Sequence, residues 1–236
     1  MLNMLIVNND MKYIKKLISY TLKYTDNIRL FDVAASGKEA LNILLKNNID
    51  IILLEPNLPD LDGVGLIKVI EQQRLEIYNK SIIILSNDRY TLRKINNSPV
   101  IYSYQAKDID KESLLKNINK FVRDKRIMEN IDSKIMRELK FLNYNIAHIG
   151  TIYLKECIKI DFLKYNGEAE NINKQIYPLI AEKYNKSILL IKNNIIKATN
   201  YMYNECEIEK LIKYFGIDMD YKPTPKAVIK TVISKI

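Results

Sequence analysis

Several polar residues close short apolar runs in the first half of the chain. Asn8, Asn9 and Asp10 follow the run 4–7, Glu55 follows Ile51 to Leu54, Ser86 follows Ile82 to Leu85, and Lys107 lies just beyond Tyr104. A pocket made of these groups would be poor at holding a divalent cation. Two Asn carbonyls carry no charge and Asp10 adds a single carboxylate, whereas Mg²⁺ demands close octahedral oxygens. Neither a metal nor a cofactor is expected here. A second chemical feature lies in residues 174–203, where five lysines face one acid, Glu182, an excess suited to neutralising phosphate. Cys157 and Cys206 stand 49 residues apart with no CxxC, and His148 is the single histidine. That removes disulfide frameworks, zinc fingers and His-based triads, and leaves both cysteines as reduced packing residues. The chain also has no glycine-rich nucleotide loop and no nucleophile elbow, so no catalytic residue is assigned and the chain is not read as an enzyme.

The elements that must position these groups can be read from periodicity. The run MLIV at 4–7 ends in the polar turn Asn8-Asn9-Asp10, and Met11, Ile14, Leu17, Ile18 and Leu22 then recur at helical spacing. Ile28 to Val33 alternates as a strand does. Ser36 can cap a helix carrying Ala40, Leu41, Leu44 and Leu45, before the strand Ile51 to Leu54. Leu66, Ile67 and Ile70 mark the next helix, followed by the strand Ile82 to Leu85, a short polar helix and the strand Val100 to Tyr104. A last helix carries Leu114, Leu115, Ile118 and Phe121. Five strands each followed by a helix imply an α/β doubly wound, five-stranded parallel sheet, with functional residues at the carboxyl ends of its strands.

The second half reads as all helical. Ile131, Ile135, Leu139 and Leu142 mark one helix, and Ile149, Ile152, Tyr153, Cys157 and Ile160 a second, with Asn166-Gly167 as a turn. Residues 176–203 read as a short helix from Pro178 to Tyr184, a tight polar turn at Asn185-Lys186, a Ser187 cap and a helix of about four turns, which is helix-turn-helix geometry. Glu207 to Phe215 gives a further helix ending at Gly216. Thr224 and Pro225 open the last. His148 is read as a cap or packing residue.

At 236 residues the chain fits one large domain or two ordinary ones. Its division is expected at 1–122, a link at 123–130 without Gly or Pro, and 131–236. The net charge of +9 is uneven, with 17 Lys/Arg against 14 Asp/Glu in residues 1–122 and 20 against 14 in the remainder. A basic excess of this kind suits nucleic acid or an acidic partner. No apolar run approaches the ~18 to 20 residues that span a bilayer, and the start lacks a basic leader with a cleavage site, so a soluble cytoplasmic protein that does not engage membranes is expected.

The strand ends carry a resemblance. Asn8-Asn9-Asp10, the segment LPDLDG at 58–63 that follows Glu55, Ser86 and Lys107 at matching strand ends resemble the receiver domain of response regulators over about half of the chain. The resemblance implies an acidic pair for Mg²⁺ at the positions of Asn8 and Asn9, a phosphoacceptor aspartate at that of Glu55, phosphate-binding roles for Ser86 and Lys107, and a switch aromatic at Tyr104. The departures fall where the chemistry occurs. Phosphoryl transfer needs a cation and an in-line nucleophile, and Glu55 displaces its carboxylate by about one C–C bond. The pocket is therefore expected to have lost phosphoacceptor activity. Glu55 is then either an inert partner of Lys107 or a carboxylate that reaches toward Ser86 and Lys107 as a phosphate would.

The second half resembles the DNA-binding domain of the stage 0 sporulation protein A family through residues 131–158, the segment IYPLIAEKYNKS, Tyr214-Phe215-Gly216 and Lys222-Pro223-Thr224. That family reads DNA through an Arg-Val-Glu-Arg-x-x-Arg helix, and residues 190–196 stand at those positions here. Leu190 and Ile196 cannot form the forked bonds that arginine makes to guanine. Lys186, Ser187, Lys192, Asn193, Lys197 and Lys222 remain as candidate DNA contacts, Asn for adenine and Lys for guanine or phosphate.

Two functions follow. One is a phosphorylation-independent transcription regulator of sporulation or related developmental genes, binding double-stranded DNA as a homodimer or with a related response regulator. The other is an interaction protein that modulates the true sporulation regulator or its phosphorelay partners without touching DNA, motivated by Leu190 and Ile196.

Overall fold

The computed structural model describes residues 1–21, 27–73, 81–216 and 222–236, and Leu22, counted above on the first helix, lies outside them. The chain divides into two compact units, residues 1–125 and 126–236.

The first unit alternates strands and helices: β1 (Leu2–Val7), α1 (Met11–Thr21), β2 (Ile28–Ala34), α2 (Gly37–Lys46), β3 (Ile51–Leu54), α3 (Gly63–Gln73), β4 (Ile82–Leu85), α4 (Arg89–Ile95) and β5 (Ile101–Gln105). All strand pairs are parallel and the order is β2-β1-β3-β4-β5. The side-chain period of two divides each strand between two cores. Leu5, Val7, Ile52, Leu54, Ile82 and Ile84 pack with Leu44, Leu66, Ile70 and Ile95 on one face. Met4, Ile6, Ile51, Leu53, Ile83 and Leu85 pack with Ile14, Leu17, Leu114, Ile118 and Phe121 on the other. Burial on both faces explains why these strands read as continuous apolar runs. It also leaves the strand ends as the places where polar side chains meet.

α5 (Lys111–Phe141) runs for 31 residues. Residues 123–130, read from sequence as a link, lie inside it, as a segment without Gly or Pro permits. The remaining helices are α6 (Ile149–Tyr165), α7 (Ile172–Gln175), α8 (Tyr177–Tyr184), α9 (Ile188–Glu205), α10 (Ile208–Phe215) and α11 (Pro225–Ile233). They enclose one core that includes Ile135, Leu139, Leu154, Ile158, Ile180, Ile191, Ile195, Met202 and Ile229. The central approach is α6 against α9, where a Cβ on Gly150 would stand 2.0 Å from the Asn194 carbonyl oxygen. Only glycine fits there without separating the helices. The His148 side chain accepts from the Gly150 N–H and caps α6, so its role is the structural one expected.

A polar staple completes this core. Asp161 is fully buried, accepts from Ala169 N at 3.0 Å, and meets Lys230 Nζ at 2.8 Å, while Lys230 also donates to the Gly167 carbonyl at 2.6 Å. These bonds tie α6, the turn after it and α11 together.

Candidate functional site

The carboxyl ends of β1, β3 and β4 deliver Asn8, Glu55 and Ser86, all of them buried. The Lys107 side chain, 40% exposed, enters from beyond β5 and places Nζ 2.9 Å from Glu55 Oε2, an ion pair without the alignment of a hydrogen bond. The other carboxylate oxygen of Glu55 accepts from Asn57 N at 3.1 Å. The backbone around Lys107 is held on two sides. Its N–H donates to Asn87 Oδ1 at 2.9 Å, and its carbonyl accepts from the Tyr13 hydroxyl at 2.5 Å. Lys107 Nζ also lies 5.7 Å from the Tyr13 ring centroid, within cation–π range. Burial, reinforced by the negative charge of Glu55, raises the Tyr13 phenol to about 12. Tyr13 therefore belongs to this cluster. Its only mark in the sequence is a polar tip on the inner face of α1.

The other expected pocket residues are more dispersed. The Asn8 side chain accepts from Asp10 N at 2.8 Å, and its Nδ2 is buried with no hydrogen-bond partner among the described residues. Asn9 is exposed. Asp10 accepts from the N–H groups of Lys12 and Tyr13 at 2.9 and 3.2 Å, so its carboxylate is used in starting α1. Ser86 Oγ accepts from Asp88 N at 3.2 Å, and no bond joins it to Glu55 among the described residues. Tyr104 is half-buried against the apolar core, with its hydroxyl donating to the Ile95 carbonyl at 2.8 Å; burial raises its pKa. Among the described residues no three His, Cys, Asp or Glu side chains gather as a metal site. Chemically the pocket holds a paired carboxylate and ammonium, a buried hydroxyl and a buried amide.

The second site is formed by α8 and α9. α8 ends at Asn185 in the left-handed conformation, φ 48°, with the Lys186 N–H returning to the Ala181 carbonyl. Ser187 caps α9 by accepting from Leu190 N at 3.2 Å. Ile191, Ile195, Ala198 and Met202 bury one face of α9. Lys192, Asn193 and Lys197 are exposed, as are Lys186 and Ser187 in the turn. None of Lys186, Lys192 and Lys197 has a carboxylate partner among the described residues. Lys222 is exposed with Nζ 5.5 Å from the Tyr203 ring. The face is not uniformly basic. Its leading turn exposes Ile188, Leu189 and Leu190 at 43%, 66% and 41%, whereas Ile196 is half-buried.

A parallel sheet of this order, with the polar residues gathered at its carboxyl ends, defines a receiver domain. The chain matches the response regulator receiver domain over residues 4–119 and the sporulation initiation factor Spo0A C-terminal domain over residues 133–236. It belongs to the response regulators in which a receiver precedes a Spo0A-type DNA-binding domain. Among solved structures it is similar to the signal receiver domain of an HD domain-containing protein from Pseudomonas fluorescens Pf-5, at 24% identity over 53% of this chain and 97% of that one, TM-score 0.45. The Francisella response regulator 1452 receiver domain is similar at 23% identity, covering 53% and 99%, TM-score 0.45. The receiver domain of AraT from Geobacillus stearothermophilus follows at 18% identity, covering 54% and 98%, TM-score 0.48. No described helix is long and apolar enough to cross a membrane.

Proposed function

We propose that this chain is a DNA-binding transcription regulator of sporulation or related developmental genes whose receiver works without aspartyl phosphorylation. The observation that carries this reading is the Glu55–Lys107 ion pair at 2.9 Å, in the pocket where the phosphoryl group would otherwise be accepted. Asn8 and Asn9 bring no charge for a cation, and the Asp10 carboxylate accepts the N–H groups of α1. The site then lacks the aspartate acceptor and the acidic pair that would hold the cation phosphoryl transfer requires. Glu55 acts as a neutralising partner for Lys107. A phosphate-like reach would bring it to Ser86, and no bond joins the two side chains among the described residues. Lys186, Lys192 and Lys197 supply phosphate contacts, and Asn193 a base contact, for double-stranded DNA. No enzymatic role is assigned. The protein works in the cytoplasm, as a homodimer or with a related response regulator.

The test is a mobility-shift or sequencing-based binding assay on the purified protein without any phosphodonor. Specific binding is expected. Only weak, fully salt-labile association would overturn the reading.

One observation favours a second function. The exposed Ile188, Leu189 and Leu190 would suit a protein partner, making the chain a modulator of the active sporulation regulator. Heterodimer formation with that regulator, measured by light scattering, together with absent specific DNA binding, would select this alternative.

A further inference from the structure

We infer that the leading turn of α9 selects DNA by apolar contact with thymine methyl groups, through Leu189 and Leu190, with Asn193 reading an adenine one turn further on. The inference rests on the DNA-binding reading above and names the kind of sequence that face would take. Residues three, four, seven and eight apart share one side of a helix, which places Leu189, Lys192, Asn193, Ile196 and Lys197 on a single face. The buried stripe of Ile191, Ile195, Ala198 and Met202 lies on the other side. The first turn of a recognition helix is the part that meets base edges in the major groove. Here that turn carries no charged side chain and exposes three large aliphatic ones, Ile188 at 43%, Leu189 at 66% and Leu190 at 41%, of which Leu189 stands on the face shared with Lys192 and Asn193 and Leu190 beside it.

In the major groove the thymine C5-methyl is the apolar feature that a base presents to such side chains, whereas guanine and cytosine offer hydrogen-bonding atoms that an aliphatic tip would strip of water without replacing. Asn193 is exposed one turn on, and asparagine can form paired bonds to adenine N6 and N7. The face is also complementary to a polyanion. No acid occurs between Ile188 and Tyr203, and Lys186, Lys192 and Lys197 lack carboxylate partners among the described residues. An apolar tip framed by unpaired lysines fits a thymine-bearing groove lined by phosphates.

The experiment selects duplexes from a randomised pool with the full-length protein, then measures binding to the recovered sequence with thymine replaced by deoxyuridine, which removes only the methyl. Recovered sites are expected to be rich in A·T pairs. Each engaged methyl is expected to contribute about fourfold, the equivalent of ~0.8 kcal/mol for one buried carbon. The double change Leu189→Ala with Leu190→Ala, both on exposed side chains, should bind the two duplexes equally and so separate the methyl contacts from changes in DNA shape. Recovery of G·C-rich sites, or equal binding of thymine and deoxyuridine duplexes by the unaltered protein, overturns this inference and leaves DNA binding standing. Failure to recover any preferred duplex overturns the DNA-binding reading as well.

Discussion

Glu55 is buried and Lys107 is partly in water, so the two halves of this ion pair should respond unequally to mutation. Lys107→Met strands a buried carboxylate, whereas Glu55→Gln retains the volume and the bond from Asn57 N and frees Lys107 to reach solvent. Water screens the exposed lysine, so the lysine change is expected to cost roughly 1 to 2 kcal/mol, below the ~3 to 5 kcal/mol of a fully buried pair, and the glutamine change less. Urea denaturation of both variants checks the order. A second expectation concerns Tyr13, whose phenol is raised by burial and by Glu55 to about 12. A raised pKa means the folded state holds its proton longer than the unfolded one. The associated stability is therefore complete below pH ~10, the ordinary value, and is lost as pH rises toward 12. Tyr13→Phe should remove one late-titrating phenol from the tyrosinate absorbance and soften the alkaline fall in stability. At this scale the sequence showed Glu55, Ser86 and Lys107, because each closes an apolar run. It did not show Tyr13, whose partner carbonyl is 94 residues away, or the exposure of Leu189, because leucines on a helix usually face the core.

Elements with strong periodicity were legible, and those without it were not. The strands stood out as apolar runs bounded by polar turns, since both faces are buried. The caps at Ser36, Ser187 and Thr224 were readable because short polar side chains beside helical patterns satisfy free N–H groups. α7 was missed, because four residues carry no measurable period. The continuity of α5 was hidden by its change of partners: Leu114, Ile118 and Phe121 pack in one core and Ile135, Leu139 and Leu142 in another. The contact of α6 with α9 gives the sharpest test at this scale. Gly150→Ala places a methyl against the Asn194 carbonyl and should destabilise the second unit by ~1 to 3 kcal/mol, as overpacking does. Thermal denaturation reads the loss, and weaker DNA binding should accompany it because the proposed contacts lie on α9. Unchanged stability would mean that the helices separate freely.

Over the whole molecule, charge and division of labour matter more than any one contact. A net charge of +9 with its larger share in the second half steers the chain toward polyanions, and counterion release makes such binding steeply dependent on salt. Lys192→Ala and Lys197→Ala should each lower the slope of log affinity against log salt by about 0.9 if the lysine meets a phosphate. A lysine that only faces solvent would leave the slope intact. The receiver supplies the complementary expectation, because a pocket neutralised by Glu55 and Lys107 has no reason to respond to a phosphodonor. The most direct measurement pairs intact mass with duplex affinity for the full-length protein, before and after incubation with acetyl phosphate and Mg²⁺. An unchanged mass with an unchanged Kd is the expected result. Gain of one phosphoryl group together with tighter binding would contradict it.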